Sequence, residues 1–297
     1  MGENHVRNFS QMPVELIGVT DTESQRAEQV AVKYRIRAFP SADALLQAVD
    51  AVSIAVPTTF HREVALMAFK SGVHILVEKP IAATLAQAQE MMAAARRSGK
   101  VLMVGHSERF NPAIDALKER IDRGELGEIV AISAKRVGPH NPRIRDVGVI
   151  IDLGVHDIDV ISYLYGRRAS KVFAVSGVRL HPFEDYASIS LFFPPDKVGT
   201  IDTNWLTPKK VRTVTVVGTA AVAEVDYIKR ELILYRENEV IPCAVSSGEP
   251  LRRELECFLE AISSGHCPLD GEQGIYNLKV ALAAQESARS GESVGIA

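Results

Sequence analysis

The sequence predicts an α/β fold in two parts: a doubly wound parallel sheet, followed by an α/β domain built on a large, mostly antiparallel open sheet. Three observations point there. From Val14 to about Arg123, short apolar runs alternate with segments whose apolar residues recur at helical spacing. Those runs are apolar throughout, as strands covered by helices on both faces must be. After Gly124–Gly127 the rhythm changes to a series of β-branched, often alternating runs separated by Gly and Pro turns. The domains are therefore expected over residues 1–123 and 124–297, with the final helices packing back on the first.

The elements of the first part follow in order. Val14–Asp21 reads as a strand ending in an acid, the position at which a dinucleotide-binding (Rossmann) unit holds the adenosine ribose. In such a unit a strand and a G-x-G-x-x-G loop come earlier, and only the last glycine is present, as Gly2. The expectation is a Rossmann domain lacking its first strand, with a weakened grip on the pyrophosphate and a natural start further upstream. A helix carrying Ala27, Val30, Ala31 and Tyr34 comes next, then a short edge strand at Ala38-Phe39 and a helix over Ala42–Ala48. Strand Ala51–Val56 stops at Pro57. Helix His61–Phe69 leads to strand Val73–Val77, Thr84 caps a helix that stops at Gly99, and strand Val101–Val104 follows. Asn111 before Pro112 opens another helix.

The second part contains strands at Ile129–Val137, Val172–Val178, Tyr186–Phe193, Gly199–Leu206, Val211–Val217, Ala221–Val225 and Leu232–Tyr235. A helix beginning near Asp152 interrupts them, and helices around Leu251–Ile262 and Gly274–Ala288 close the chain. One face of this sheet is expected to cover its helices and the other to meet a second subunit.

Composition excludes several classes. Lys and Arg number 34 against 37 Asp and Glu, a formal charge of −3, so no nucleic-acid surface is implied. No apolar stretch is long enough to span a bilayer, and Glu3, Asn4, Arg7 and Asn8 do not resemble a secretory leader, so a cytoplasmic location is expected. Cys243, Cys257 and Cys267 are too scattered for a disulfide framework or a metal cluster, and no metal is expected.

The candidate chemistry lies at the ends of elements. Lys79 follows a buried strand, where ligands of open α/β sheets bind, and an ammonium there would stabilise negative charge on a substrate oxygen. Glu78 and Lys79 also read as solvated residues before a turn. Asp152 and His156, spaced i,i+4, share a helical face; histidine can remove an alcohol proton and the carboxylate can orient it. The plain alternative is an N-cap beside a packed histidine, with Asp157 and Asp159 as solvated acids or caps. Asp21 favours NAD over NADP, because it would repel a 2′-phosphate. Pro57, Thr58, His61, Glu78 and Lys79 line the expected cofactor cleft, although Pro57 and Thr58 also make an ordinary strand-to-helix connection, with His106 and Arg109 on a polar edge after the next strand. Arg136, His140, Arg143 and Arg145, beside Lys135, form a basic stretch suited to an anionic or nucleotide-linked substrate, or simply a solvated loop. Trp205 packs against a cofactor or sugar face, or fills a sheet core.

Together, Ala51-Val52-Ser53-Ile54-Ala55-Val56-Pro57-Thr58, Val77-Glu78-Lys79-Pro80, Gly105-His106-Ser107-Glu108-Arg109-Phe110-Asn111-Pro112 and Asp152-Leu153-Gly154-Val155-His156-Asp157 resemble the Gfo/Idh/MocA family of oxidoreductases over nearly the whole chain. The resemblance implies Lys79, Asp152 and His156 as the catalytic set, NAD as cofactor, and a homodimer or homotetramer. A narrower likeness rests on Arg136-Val137-Gly138-Pro139, Arg143–Gly148 and Asn204-Trp205-Leu206-Thr207-Pro208. It is to UDP-N-acetylglucosamine 3-dehydrogenases, and implies oxidation of the 3-hydroxyl of a UDP-N-acetylhexosamine. Lys79, Arg136, His140, Arg143, Arg145, Asp152, His156 and Trp205 would then meet the substrate. Dehydrogenation of inositol or a free polyol is the alternative within enzymes; a noncatalytic, cofactor-sensing or structural protein is the alternative outside them.

Overall fold

The computed structural model describes residues 1–142, 144 and 147–296. The chain divides into two compact units, one of residues 1–107 and 251–276, the other of residues 108–250 and 277–297. The boundary expected at 123/124 lies earlier, because the helix capped by Asn111 packs with the second unit's strands.

The first unit runs α1 (Gly2–Phe9), β1 (Gly18–Val19), α2 (Ser24–Tyr34), β2 (Arg37–Ala38), α3 (Ala42–Leu46), β3 (Ala51–Ile54), α4 (His61–Lys70), β4 (His74–Glu78), α5 (Leu85–Ser98) and β5 (Leu102–Gly105). All its strand pairs are parallel, in two sheets ordered β1-β2 and β3-β4-β5. Among the described residues no strand joins the two. Ile75, Leu76 and Val77 of β4 are each 0% exposed, as the apolar run requires of a central parallel strand. Thr84 caps α5 by accepting the N–H of Gln87, and Gly99 ends it at φ 66°, a left-handed conformation suited to glycine. Residues 251–276 complete this unit. Leu269 accepts the N–H of Val104 at 2.9 Å, and a Cβ added to Gly274 would fall 2.6 Å from Val104 Cγ2.

The second unit contains α6 (Pro112–Asp122), β6 (Ile129–Pro139), α7 (Val155–Tyr165), β7 (Lys171–Gly177), β8 (Tyr186–Phe193), β9 (Lys197–Asn204), β10 (Leu206–Gly218), β11 (Val222–Asp226), β12 (Glu231–Arg236) and β13 (Glu239–Cys243). Helix α8 (Pro250–Ser264) lies almost wholly in the first unit, and α9 (Gly271–Ser290) is divided between the two. Strand β14 (Val294–Gly295) ends the chain. The nine-stranded sheet runs β13-β12-β11-β10-β6-β9-β8-β7-β14, antiparallel except for β6 beside β9. Residues facing α7, such as Ile132, Ile189, Ile201 and Val214, are buried, and the opposite face alternates to polar or exposed positions. This topology brings the ends of β6, β7 and β9 to the same edge as the starts of β8 and β10: Tyr186 pairs with Asn204 and with Gly177, and Leu206 with Pro139.

Candidate active site

In the first unit, the ends of parallel strands expose a rim. Beyond β3, Val56 is 39% and Phe60 51% exposed, with Pro57 exposed and Thr58 half-buried between them. Strand β4 ends in Glu78, and half-buried Lys79 follows it. Glu78 is held by a residue the sequence reading missed: His5 on α1, 2% exposed, meets Glu78 Oε1 through Nε2 at 2.9 Å and Ser53 Oγ through Nδ1 at 2.7 Å. Burial alone would raise the Glu78 carboxyl; the hydrogen bond and charge of His5, with the charge of Lys79, outweigh it and hold it below its usual range. His5 is buried in α1 together with Val6 and Asn8, and no motif in the sequence marks it.

Gly2 opens α1, and an added Cβ would lie an ordinary 3.8 Å from Ala55 Cβ. Asp21 follows β1; it accepts the N–H of Glu23 at 2.9 Å and pairs with Arg26 at 3.4 Å, its side chain 30% exposed. A half-exposed carboxylate at a strand end retains lone pairs for ribose hydroxyls, and the exposed strand rim offers surface for a dinucleotide, so these residues fit NAD. His106, after β5, is 2% exposed. His61 does not belong to that rim. It is 1% exposed, and its ring nitrogens meet the carbonyls of Pro80 at 2.9 Å and Val56 at 3.0 Å, so it ties two strand ends together.

In the second unit, two arginines expected to bind ligand are internal. Arg136 is 1% exposed; Nε and Nη2 donate to Asp157 at 2.9 and 3.0 Å, and Nη1 donates to Glu108 at 2.9 Å. Burial alone would lower its pKa, but Asp157 and Glu108 raise it well above the usual value, so the guanidinium stays charged. Arg109 donates through Nε and Nη2 to Asp159 and lies over the Tyr163 ring at 4.9 Å. Asp159 also accepts from Asn277 Nδ2 at 2.8 Å. Asp157 and Asp159, expected as solvated acids, are thus buried counter-ions that anchor α7, and neither Arg136 nor Arg109 has a fork left for phosphate. Arg143 and Arg145 lie outside the described residues.

Asp152 and His156, both half-buried, stand at the start of α7. Residues Ile150–Gly154 form a π-helical turn, so Asp152 enters through a wider turn than the regular spacing assumes. Trp205, which the sequence left as a ligand platform or a core residue, is a partner of this acid. It is 5% exposed, and its Nε1–H donates to Asp152 Oδ2 at 3.3 Å. An indole donor limits the rotation of the carboxylate, which suits an acid that orients a base. His140 is stacked against His181, and both rings meet Trp205 edgewise. These rings border a cavity of about 270 Å³ within the second unit, together with Pro142, Ile144, Val147, Pro182 and Phe183.

A parallel-stranded unit with a ribose-type acid, a lysine at a strand end, and a second unit presenting an acid and a histidine on one helix define a dinucleotide-dependent oxidoreductase. Comparison with known proteins agrees. Residues 1–106 match the oxidoreductase family with NAD-binding Rossmann fold, and residues 114–224 match the GFO/IDH/MocA C-terminal domain. UDP-N-acetylglucosamine 3-dehydrogenase of Acidithiobacillus ferrooxidans is 32% identical over 294 residues, covering 95% of this chain and 92% of that one. A solved structure of that enzyme superposes with a TM-score of 0.90 at 31% identity, covering 97% of this chain and 94% of the other. The NAD⁺-dependent scyllo-inositol 2-dehydrogenase of Bacillus subtilis is 27% identical, covering 99% and 93%. The chain belongs to the Gfo/Idh/MocA family of NAD-binding oxidoreductases.

Proposed function

We propose that this protein is an NAD-dependent dehydrogenase that oxidises the 3-hydroxyl of a UDP-N-acetylhexosamine to a ketone. The observation that carries the substrate is the near full-length identity to the Acidithiobacillus 3-dehydrogenase. When bound, NAD supplies the hydride acceptor through its nicotinamide ring. His156 takes the hydroxyl proton as the C3–H bond breaks and the C=O bond forms. Asp152, fixed by the Trp205 donor, orients His156 and stabilises it as it gains charge. Lys79 holds the reacting oxygen and offsets its developing negative charge. Asp21 accepts from the adenosine ribose. Subunits associate through the outer face of the nine-stranded sheet, where Phe173, Val175 and Phe192 are 37%, 53% and 36% exposed.

The test is NADH formation with UDP-N-acetylglucosamine, inositol and simple sugars offered separately. Turnover with the nucleotide sugar is expected. Turnover with inositol alone rejects the substrate in favour of a polyol dehydrogenase, and binding of NAD with no turnover of any sugar rejects catalysis.

A further inference from the structure

The connection between β7 and β8 is organised by a carboxylate that no sequence pattern marks. Asp185, 0% exposed, accepts through Oδ2 the backbone N–H groups of Arg179 (3.0 Å), Leu180 (2.6 Å) and His181 (3.3 Å). Burial alone would raise its carboxyl; the three amides outweigh that and hold it below the usual carboxylate range. Its carbonyl accepts the backbone N–H of Trp205 at 2.8 Å, and the carbonyl of Glu184 accepts the backbone N–H of Val149 at 2.9 Å. One dipeptide thereby fixes His181, Trp205 and the start of the turn that carries Asp152.

His181 stacks on His140 with ring centroids 4.0 Å apart and 30° between planes. Trp205 backs both, at 4.8 Å from His140 and 5.8 Å from His181. Among the described residues around these rings, Pro142, Ile144 and Phe183 give the cavity apolar walls, and the imidazole nitrogens are the hydrogen-bonding groups its ring cluster can offer. A hydroxyl-rich surface set against such walls would lose its water without replacement. An acylated amine suits them: its methyl meets apolar carbon, its planar amide lies along a ring, and its carbonyl accepts from an imidazole N–H. On an N-acetylhexosamine oxidised at C3, that group sits on the adjacent carbon. The 3.3 Å bond from Trp205 to Asp152 ties the ring cluster directly to the acid assigned to the reacting hydroxyl.

We propose that His181, stacked on His140, receives the 2-acetamido group of the reacting sugar and selects N-acetylated over unsubstituted hexoses. The proposal rests on the nucleotide-sugar reading above. Its test compares kcat/KM for UDP-N-acetylglucosamine and UDP-glucose in the wild type, His181→Ala and His181→Phe. The wild type should favour the acetamido sugar at least about tenfold. His181→Ala should bring the two values within about threefold of each other. His181→Phe, which keeps the ring but not the hydrogen bond, should fall between them and covers the case in which the alanine variant does not fold. An unchanged ratio in both variants overturns the proposal, as does an equal loss for both sugars.

If the wild type oxidises a polyol and neither nucleotide sugar, the functional reading has failed, and saturation-transfer NMR with free N-acetylglucosamine judges the pocket separately. Saturation of the acetyl methyl in the wild type, lost in the His181 variants, supports it; no saturation overturns it.

Discussion

Arg136 shows what decides a basic residue's role once the chain has folded. In the sequence it belongs to a cluster shaped for phosphate, but the alternation of β6 turns it into the core, where Asp157 and Glu108 take its donors. Charge and proximity in sequence were legible; strand facing and the distant counter-ions were not. Arg136→Met leaves the buried Asp157 carboxylate without its cation, while Glu108 keeps Arg212 at 3.1 Å, and should destabilise the fold by about 3–5 kcal/mol, read from the denaturant midpoint. His61 is a second case of a candidate absorbed by structure. Burial lowers its pKa, outweighing the two carbonyls that favour the protonated ring. A depressed folded pKa means the native state resists protonation, so its contribution is present above the unfolded value of about 6.5 and is lost as pH falls below it. Stability of the wild type should therefore drop between about pH 7 and 5 more steeply than that of His61→Gln. Equal slopes in urea titrations would remove His61 from that dependence.

At the scale of elements, local chemistry was the most readable. Thr84, Gly99 and Asn111 act as the caps and stop their types predict, because those signals are settled within one helical turn. Thr84→Ala should cost about 1 kcal/mol, again by denaturant midpoint. Strand bounds depend on partners, which lie far away in sequence. The run Val14–Asp21 is paired only at Gly18 and Val19, because its neighbour β2 pairs over just those positions. Strand β13, absent from the expected strands, carries Pro242, a residue tolerated on this edge. The expected strand through Leu206 stops at Asn204, and Trp205 stands at the break before β10, with a register shift between Leu206 and Val211. That break is what frees the indole to reach Asp152. Trp205→Phe keeps the packing and removes the donor; kcat should fall about tenfold, since a hydrogen bond to a charged group contributes about 1.5–3 kcal/mol. A fall confined to KM would assign Trp205 to substrate binding instead.

For the whole molecule, the change from continuous apolar runs to alternating ones was enough to place a parallel-stranded unit before a large antiparallel sheet, since burial on one or two faces writes itself into every strand. The motifs spread along the chain nominate Lys79, Asp152 and His156, but the His140–His181 stack and the Asp185 clamp arise only when strand ends converge, and no spacing announces them. If the exposed apolar face of that sheet joins subunits, Phe173→Glu combined with Val175→Glu should reduce the sedimentation coefficient to that of a monomer while the circular dichroism spectrum stays the same. The proposed reaction removes a hydride from C3 of an N-acetylated nucleotide sugar. UDP-N-acetylglucosamine deuterated at C3, incubated with NAD and the protein, should give reduced cofactor that carries the deuterium and a sugar product bearing a ketone at C3. Reduced cofactor without deuterium, or deuterium retained in unoxidised sugar while inositol is consumed, would contradict it.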